Sequence, residues 1–232
     1  MDCVSAELAS RHEDGQDLPV LIWRLPRPEL TISSGALRGG IGARCWVVNA
    51  TVPMSYYPTD VPAHLAELAA RLGLAGPGTA LVTGLDVARV ATVTDGGVTA
   101  AATVGLGDPA WAAAPGPAPA PRVGTINLVV RVPARLGEAA LVNAVATAAE
   151  AKAQALRELG ISGTGTCTDA TVIHCPLSGS PEWYGGPRST WGAPLARAVH
   201  AAVLQGARDW LADPRPGIVR ADLPLAPRTN PT

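Results

Sequence analysis

Short connections between strand-forming segments constrain the fold of this chain most. Residues 88–94 and 98–106 both favour β-structure, and only Asp95-Gly96-Gly97 separates them, a sequence typical of a tight hairpin turn. Two parallel neighbouring strands would need a crossover connection of roughly a dozen residues or more. A connection of this length cannot provide one, so the sequence predicts antiparallel pairing in this part of the chain.

Other elements follow from apolar runs and their spacing. Apolar, β-branched runs bounded by turn residues predict six further strands, over residues 20–25, 30–33, 45–52, 79–83, 125–132 and 170–175. Helical periodicity predicts three helices, one capped by Asp60 and ending before Gly73, and two over residues 138–159 and 195–211. We therefore predict an α+β fold, a mixed and largely antiparallel sheet covered by about three helices. The β-α-β-α order toward the C-terminus keeps an α/β layered sandwich as the alternative.

Length and composition favour one globular domain. The chain has 232 residues, of which 47% are hydrophobic and 16% charged, so it has ample apolar surface to form a core. We assign residues 1–232 to a single domain, with flexible N-terminal residues 1–17 and a Pro-rich tail over residues 214–232. The Ala, Pro and Gly-rich stretch 112–121 is predicted to be a surface loop.

Net charge and cysteine content limit the binding partners and the cellular compartment that we expect for this protein. The formal net charge is -1, which removes the electrostatic field that nonspecific nucleic-acid binding needs. No apolar run reaches the roughly 18 residues of a membrane span, and the first residues lack the apolar core of a secretory signal. The four cysteines form no CxxC pair and are expected to be free thiols. We expect a cytoplasmic protein without nucleic-acid or membrane partners. Both a monomer and a homo-oligomer are compatible with the sequence.

Lys152 is the only lysine in the chain. Together with the absence of phenylalanine and the abundance of alanine and glycine, this usage indicates a GC-rich, actinobacterial-type genome. Lys152 falls on the apolar stripe of the helix predicted over residues 138–159, where an ammonium needs a partner. Glu150 lies two positions away and points to another side of the helix. We therefore predict Asp169 as the partner of Lys152.

Residues 162–169 form a turn rich in glycine and hydroxyl groups. Such a turn can present several backbone N–H groups to an oxyanion, although an ordinary turn before a strand would have the same composition. No GxSxG, HExxH or phosphate-binding loop appears. His174 and Cys175 are neighbours in a predicted strand and so point to opposite faces, which argues against a shared metal site. We expect neither a metal ion nor a cofactor.

Several blocks along the chain carry a resemblance to a known family. They are Ser33-Ser34 with Gly39-Gly40, Asn49 with Val52, Thr103-Val104-Gly105-Leu106-Gly107, Gly124-Thr125-Ile126-Asn127, Glu150-Ala151-Lys152, and Thr164-Gly165-Thr166-Cys167-Thr168-Asp169-Ala170. In order and spacing the chain resembles the adenosylcobinamide amidohydrolases. The resemblance implies an enzyme that cleaves the amide between the aminopropanol arm and the corrin side chain of adenosylcobinamide. Adenosylcobyric acid would be the product, in corrinoid salvage.

The matched blocks contain the residue types that amide hydrolysis needs. Glu150 and Asp169 are candidate general bases, and Lys152 is a candidate electrostatic stabiliser or proton donor. Direct attack by water and a covalent threonine nucleophile, at Thr125, Thr164 or Thr166, both stay open. The full set of candidate substrate-binding residues is Ser33, Ser34, Asn49, Thr125, Asn127, Thr164 and Thr166. A corrinoid is the expected small-molecule substrate.

The chain also departs from the family pattern. It reads Val82-Thr83-Gly84-Leu85 where the family usually has Met-Thr-Ala-Ala, and Gly107-Asp108-Pro109 where it has Gly-Asn-Pro. The usual Arg-Ala-Gly is missing around Trp111. Two alternatives therefore stand beside the hydrolase: a diverged member acting on another amide in secondary metabolism, and a noncatalytic corrinoid-binding protein.

Overall fold

A computed structural model describes residues 5–13, 15–53, 56, 59–115 and 124–214. The strands are β1 (Glu7–Glu13), β2 (Gln16–Ser33), β3 (Gly40–Thr51), β4 (Gly78–Thr83), β5 (Ala91–Asp95), β6 (Val98–Gly105), β7 (Pro109–Ala110), β8 (Thr125–Arg131), β9 (Gly165–Thr166) and β10 (Ala170–Pro176). The helices are α1 (Val61–Arg71), α2 (Glu138–Glu158) and α3 (Gly192–Ala212), with a 3₁₀ turn at Val87–Arg89.

The three α-helices lie where the sequence predicts them. Asp60 accepts a hydrogen bond from the backbone amide of Ala63 at 2.9 Å, so it caps the N-terminus of α1 as expected. A left-handed Gly160, with φ of 71°, follows α2 at the point where the periodicity ends. Among the described residues, no helix combines the length and hydropathy that crossing a membrane requires.

The strands form a mixed, largely antiparallel sheet, which confirms the predicted fold class. Its order is β4-β3-β2-β10-β8-β6-β5, with β1 paired to β2. The hairpin around Gly96 and Gly97 is present, since β5 and β6 pair antiparallel with Asp95 opposite Val98. Only β3 with β4 and β8 with β10 are parallel pairs within this sheet. Strands β7 and β9 form a separate antiparallel ladder of two residues each.

The two strands predicted over residues 20–25 and 30–33 are parts of one long strand, β2. Its pairing with β3 changes register between Arg24 and Glu29. Pro26 and Pro28 lie in this interval and have no amide hydrogen to donate, so the ladder is interrupted there without ending the strand. The N-terminal half of β2 pairs with β1, and its C-terminal half pairs with β10.

The sheet folds over so that its two halves face each other. Side chains of β2, β3 and β4, among them Leu21, Val47 and Leu81, form one apolar cluster with Ala101 of β6 and Val129 of β8. Helix α1 covers the outer face of the first half, and α2 with α3 covers the outer face of the second half. We call the surface between the two halves the inner face of the sheet.

The expectation that residues 1–17 are flexible is wrong for the described part of that segment. Strand β1 pairs with β2 over its whole length. Two of its charged side chains bond to other elements: Arg11 donates to the backbone carbonyl of Thr51 at 2.7 Å, and Glu13 contacts His64 at 2.6 Å. Residues 1–4, residues 116–121 of the predicted loop and residues 215–232 of the predicted tail lie outside the described residues.

Candidate functional site

Lys152 and Asp169 form an ion pair between α2 and the turn that precedes β10. The ammonium of Lys152 donates to Oδ2 of Asp169, and both side chains are largely buried, with 14% of each exposed. The pairing agrees with the prediction made from the lone lysine on an apolar stripe. Burying either charge without the other would cost several kcal/mol, on the order of 3–5.

Four hydrogen bonds occupy the carboxylate of Asp169. Besides Lys152, Oδ2 accepts from the backbone amide of Thr166 at 3.1 Å. Oδ1 accepts from the backbone amide of Ile126 at 2.9 Å and lies 2.6 Å from Oγ1 of Thr166. A carboxylate offers about four lone-pair directions, and this one has about four donors when the Thr166 hydroxyl donates to it. The other three donors are fixed by the fold.

Two threonine hydroxyls contact the carbonyl oxygen of Gly124, and a third threonine bonds to one of them. Thr166 Oγ1 lies 2.8 Å from this oxygen and Thr168 Oγ1 lies 3.0 Å from it. Thr125 and Thr168 share a hydrogen bond of 2.7 Å. Since a hydroxyl has one proton, Thr166 can donate either to Gly124 or to Asp169. Thr166 is therefore the hydroxyl through which a proton can pass to the carboxylate.

Gly165 lets the ion pair approach the backbone. A Cβ atom at this position would lie 2.6 Å from the ammonium nitrogen of Lys152 and still closer to Oδ2 of Asp169. A side chain at this position would force the ammonium or the carboxylate to move. Gly165 therefore permits the observed geometry of the ion pair, which its place in a glycine-rich turn does not reveal.

Two backbone amides follow Thr166 in an exposed part of the turn. Within the described residues, the amides of Cys167 and Thr168 make no hydrogen bond to another protein group. The side chains of both residues are exposed. These N–H groups are available to an anionic oxygen that forms next to Thr166.

A network of buried amides lies on the inner face beside this cluster. Asn127 of β8 donates to Oδ1 of Asn49 at 2.8 Å and to the carbonyl of Val82 at 3.0 Å, and Asn49 donates to Thr103 at 3.0 Å. Oδ1 of Asn127 is buried and has no hydrogen-bond partner among the described residues. Asn127 pairs with Ala170, the residue next to Asp169, so the network adjoins the ion pair.

Comparison with known proteins matches this chain to one family. Residues 5–215 match the family model described as adenosylcobinamide amidohydrolase. The chain belongs to the adenosylcobinamide amidohydrolase family. The adenosylcobinamide amidohydrolase of Methanosarcina mazei is 29% identical over 184 residues, which cover 75% of this chain and 88% of that protein. The protein of the same name from Halobacterium salinarum is 36% identical over 163 residues, covering 66% and 69%.

One solved structure gives a weaker match. The PH0078 protein from Pyrococcus horikoshii is 12% identical to this chain, and the match covers 85% of this chain and 77% of that one. The TM-score of this match is 0.44.

The family blocks quoted from the sequence do not all meet. Those containing Thr125, Lys152 and Asp169 converge on the ion pair. Thr164, in the same block as Asp169, instead accepts a hydrogen bond from the amide of Ala112 at 3.2 Å. Glu150 is exposed and lines a shallow cavity between α2 and α3, which also contains Arg197 and His200. The structure therefore does not bring Glu150 to Lys152 and Asp169.

The serines of the first family block lie at the end of β2, beside the start of β10. Ser34 accepts a hydrogen bond from the amide of Thr171 at 2.9 Å. Ser33 bonds to Thr79 at 2.7 Å and accepts from the amide of Gly35 at 2.9 Å. These bonds lie at the end of the sheet where β2 ends and β10 begins, which is also where Asp169 lies. Both hydroxyls are engaged within the protein.

A second cluster of charged groups, which sequence reasoning missed, lies at the other ends of β8 and β10. Nδ1 of His174 lies 2.5 Å from Oε2 of Glu29, and Nε of Arg131 lies 3.5 Å from Oε1 of the same carboxylate. Alternation in β10 does place His174 on the inner face, opposite Thr31. Glu29 and His174 are far apart in sequence, however, so no local pattern links them. No cluster of three or more His, Cys, Asp or Glu suited to a metal ion occurs among the described residues.

We predict that Gly165→Ala disrupts the ion pair while leaving the fold intact. The new methyl group must displace the Lys152 ammonium or the Asp169 carboxylate. Turnover of the family substrate should fall by about 100-fold or more, since small displacements of catalytic groups cost that much. Steady-state kinetics and far-UV circular dichroism measure the two properties.

Gly137→Ala is the matched control, because a Cβ atom there would meet its nearest neighbour, the carbonyl of Glu182, at 3.4 Å. It should keep turnover within a few-fold of the parent protein. Equal turnover of both glycine variants would show that the packing around Gly165 does not matter to the chemistry.

Proposed function

We propose that this protein hydrolyses the amide that joins the aminopropanol arm to the corrin side chain of adenosylcobinamide, releasing adenosylcobyric acid and aminopropanol. The family match over residues 5–215 carries this proposal. The substrate is a corrinoid, and two relatives of the same name support it.

We infer that Thr166, Asp169 and Lys152 are the catalytic residues. Amide hydrolysis needs a nucleophile, a base to take its proton, and donors for the tetrahedral oxyanion. Three donors other than Thr166 already bond to the carboxylate of Asp169, and the hydroxyl of Thr166 lies 2.6 Å from Oδ1, so this hydroxyl rather than a water occupies the remaining direction. This contact favours Thr166 over Thr125 and Thr164, whose hydroxyls bond elsewhere.

The proposed reaction proceeds in two halves. Oγ1 of Thr166 attacks the amide carbon while its proton passes to Oδ1 of Asp169, and the amides of Cys167 and Thr168 stabilise the oxyanion. The carbon–nitrogen bond then breaks, and the departing amine takes the proton from Asp169. Water next cleaves the ester on Thr166, which frees the carboxylic acid and restores the hydroxyl. Lys152 compensates the charge of Asp169 and holds its carboxylate in place.

A related amide is the second candidate substrate, because two of the three departures from the family pattern border the residues described above. The carbonyl of Val82 accepts a hydrogen bond from Asn127, and Pro109 pairs with Thr166. Changes at these two places alter the surroundings of the nucleophile rather than a remote surface. A different acyl or amine group on the substrate would be the expected consequence. A noncatalytic corrinoid-binding protein has less support, since binding alone does not need the charged cluster.

We also infer a cytoplasmic location and a high-GC, actinobacterial-type source, both from the sequence. The two named relatives come from archaea and do not bear on the source. Neither nucleic acid nor a membrane is an expected partner. Homo-oligomer formation stays open.

We predict that the purified protein converts adenosylcobinamide to adenosylcobyric acid, and that Thr166→Ala abolishes the conversion. Loss of a nucleophile lowers kcat by roughly 1,000-fold or more. Mass spectrometry of the corrinoid detects loss of the aminopropanol arm. Ser162→Ala, which removes an exposed hydroxyl of the same turn, should leave turnover within a few-fold of the parent.

Three other outcomes have distinct meanings. Unaltered corrinoid that stays bound to the protein would support the binding protein. Absence of both turnover and binding would indicate a different amide substrate. Full activity of Thr166→Ala would contradict the covalent route and favour attack by water.

Metal independence is a separate prediction. The proposed acid–base groups are all protein side chains, so turnover should persist after dialysis against EDTA and assay in metal-free buffer. The measurement is kcat before and after dialysis, with Zn²⁺ and Mg²⁺ added back. Activity that disappears and returns only with one of these ions would mean that the residues named above are not sufficient.

A further inference from the structure

A cavity of about 310 Å³ opens on the inner face, beneath β1 and the 3₁₀ turn. We call it the inner-face cavity. Its wall is mostly apolar, with one guanidinium and one imidazole at the ends of β8 and β10. The lining residues that the argument uses are Leu21, Trp23, Thr99, Val129, Arg131 and His174.

His174 reaches this cavity with one ring nitrogen already engaged. The residue is 1% exposed, and its Nδ1 is bonded to Glu29. Burial raises the pKa of Glu29, but the hydrogen bond and charge of His174 and the charge of Arg131 outweigh that effect and hold the pKa below its ordinary value. An ionised carboxylate can only accept, so Nδ1 carries the proton. The only side-chain hydrogen bond of His174 within the described part of the chain is the one at Nδ1, so Nε2 remains for a ligand.

Arg131 is the second incompletely bonded group. Its buried Nε faces the carboxylate of Glu29 at 3.5 Å, while its two Nη groups make no hydrogen bond to another described residue. Only 24% of its side chain is exposed. A guanidinium has five N–H donors, and the four on Nη1 and Nη2 are not used by the described residues. Since Arg131 lines the cavity, these donors can serve an accepting ligand there.

We propose that the inner-face cavity binds a small organic monocarboxylate, with the carboxylate on Arg131 and the apolar body against Trp23, Leu21 and Val129. The planar fork of arginine matches a carboxylate in two parallel hydrogen bonds. The Glu29 carboxylate lies against Arg131 and repels a phosphate dianion more strongly than a singly charged anion, so the site suits a monoanion better. His174 Nε2 provides a second polar contact beside Thr99.

This site is separate from the cluster around Asp169. Arg131 follows Ile126 by five residues along β8, which corresponds to roughly 17 Å in an extended strand. The Asp169 carboxylate bonds at Ile126, near the opposite end of that strand. None of the residues that line the cavity takes part in the proposed hydrolysis. The inference accordingly does not depend on the proposed function.

Binding of benzoate tests this inference directly. We expect saturable one-to-one binding by isothermal titration calorimetry, and at least tenfold weaker binding of benzyl alcohol, which has the same ring without the charge. Arg131→Met should weaken benzoate binding at least tenfold. Arg157→Met is the matched control, because it removes an exposed arginine of α2 and should leave the affinity unchanged.

Amide chemical-shift mapping provides a readout that needs no variant. Benzoate should shift the amides of Arg131 and His174 and leave those of Thr166 and Asp169 in place. Shifts confined to Thr166 and Asp169 would overturn the proposal. So would equal affinity for benzoate and benzyl alcohol, unchanged binding by folded Arg131→Met, or no saturable binding of either benzoate or isovalerate up to about 10 mM.

Discussion

The ion pair between Lys152 and Asp169 is the interaction on which the arrangement of the proposed site depends. It joins α2 to the turn before β10, and the same carboxylate also fixes the amides of Ile126 and Thr166. Removing either charge would leave the other largely buried, at a cost on the order of 3–5 kcal/mol. One side chain thus positions a helix, a strand and the proposed nucleophile together.

Local sequence signals predict the fold correctly where a feature depends on residues close together in the chain. The hairpin at Gly96-Gly97 and the cap at Asp60 were predictable because each involves residues only a few positions apart. The pairing of β1 with β2 was not, since its charges resemble those of a solvated segment. Nor does any local pattern predict that β3 meets β8 across the inner face, where Asn49 and Asn127 are bonded.

The candidate site was predictable in part for the same reason. A lysine on an apolar stripe needs a partner, and this requirement identified Asp169 from the sequence alone. Which threonine lies against the carboxylate depends on side-chain geometry in the turn, which spacing does not determine. The pair of Glu29 and His174 depends on the bend of β2 and the register of β10, and both are products of tertiary structure.

The most direct test of the account is a double-mutant cycle on Lys152→Met and Asp169→Asn, with kcat for adenosylcobinamide as the measured quantity. Residues that act as one unit lose activity non-additively. The account predicts that each single variant loses roughly 1,000-fold or more in kcat, and that the double variant is about as inactive as either single one. Folding is followed by thermal unfolding of all four proteins. Losses that multiply in the double variant, or a folded Asp169→Asn protein with near-normal kcat, would contradict it.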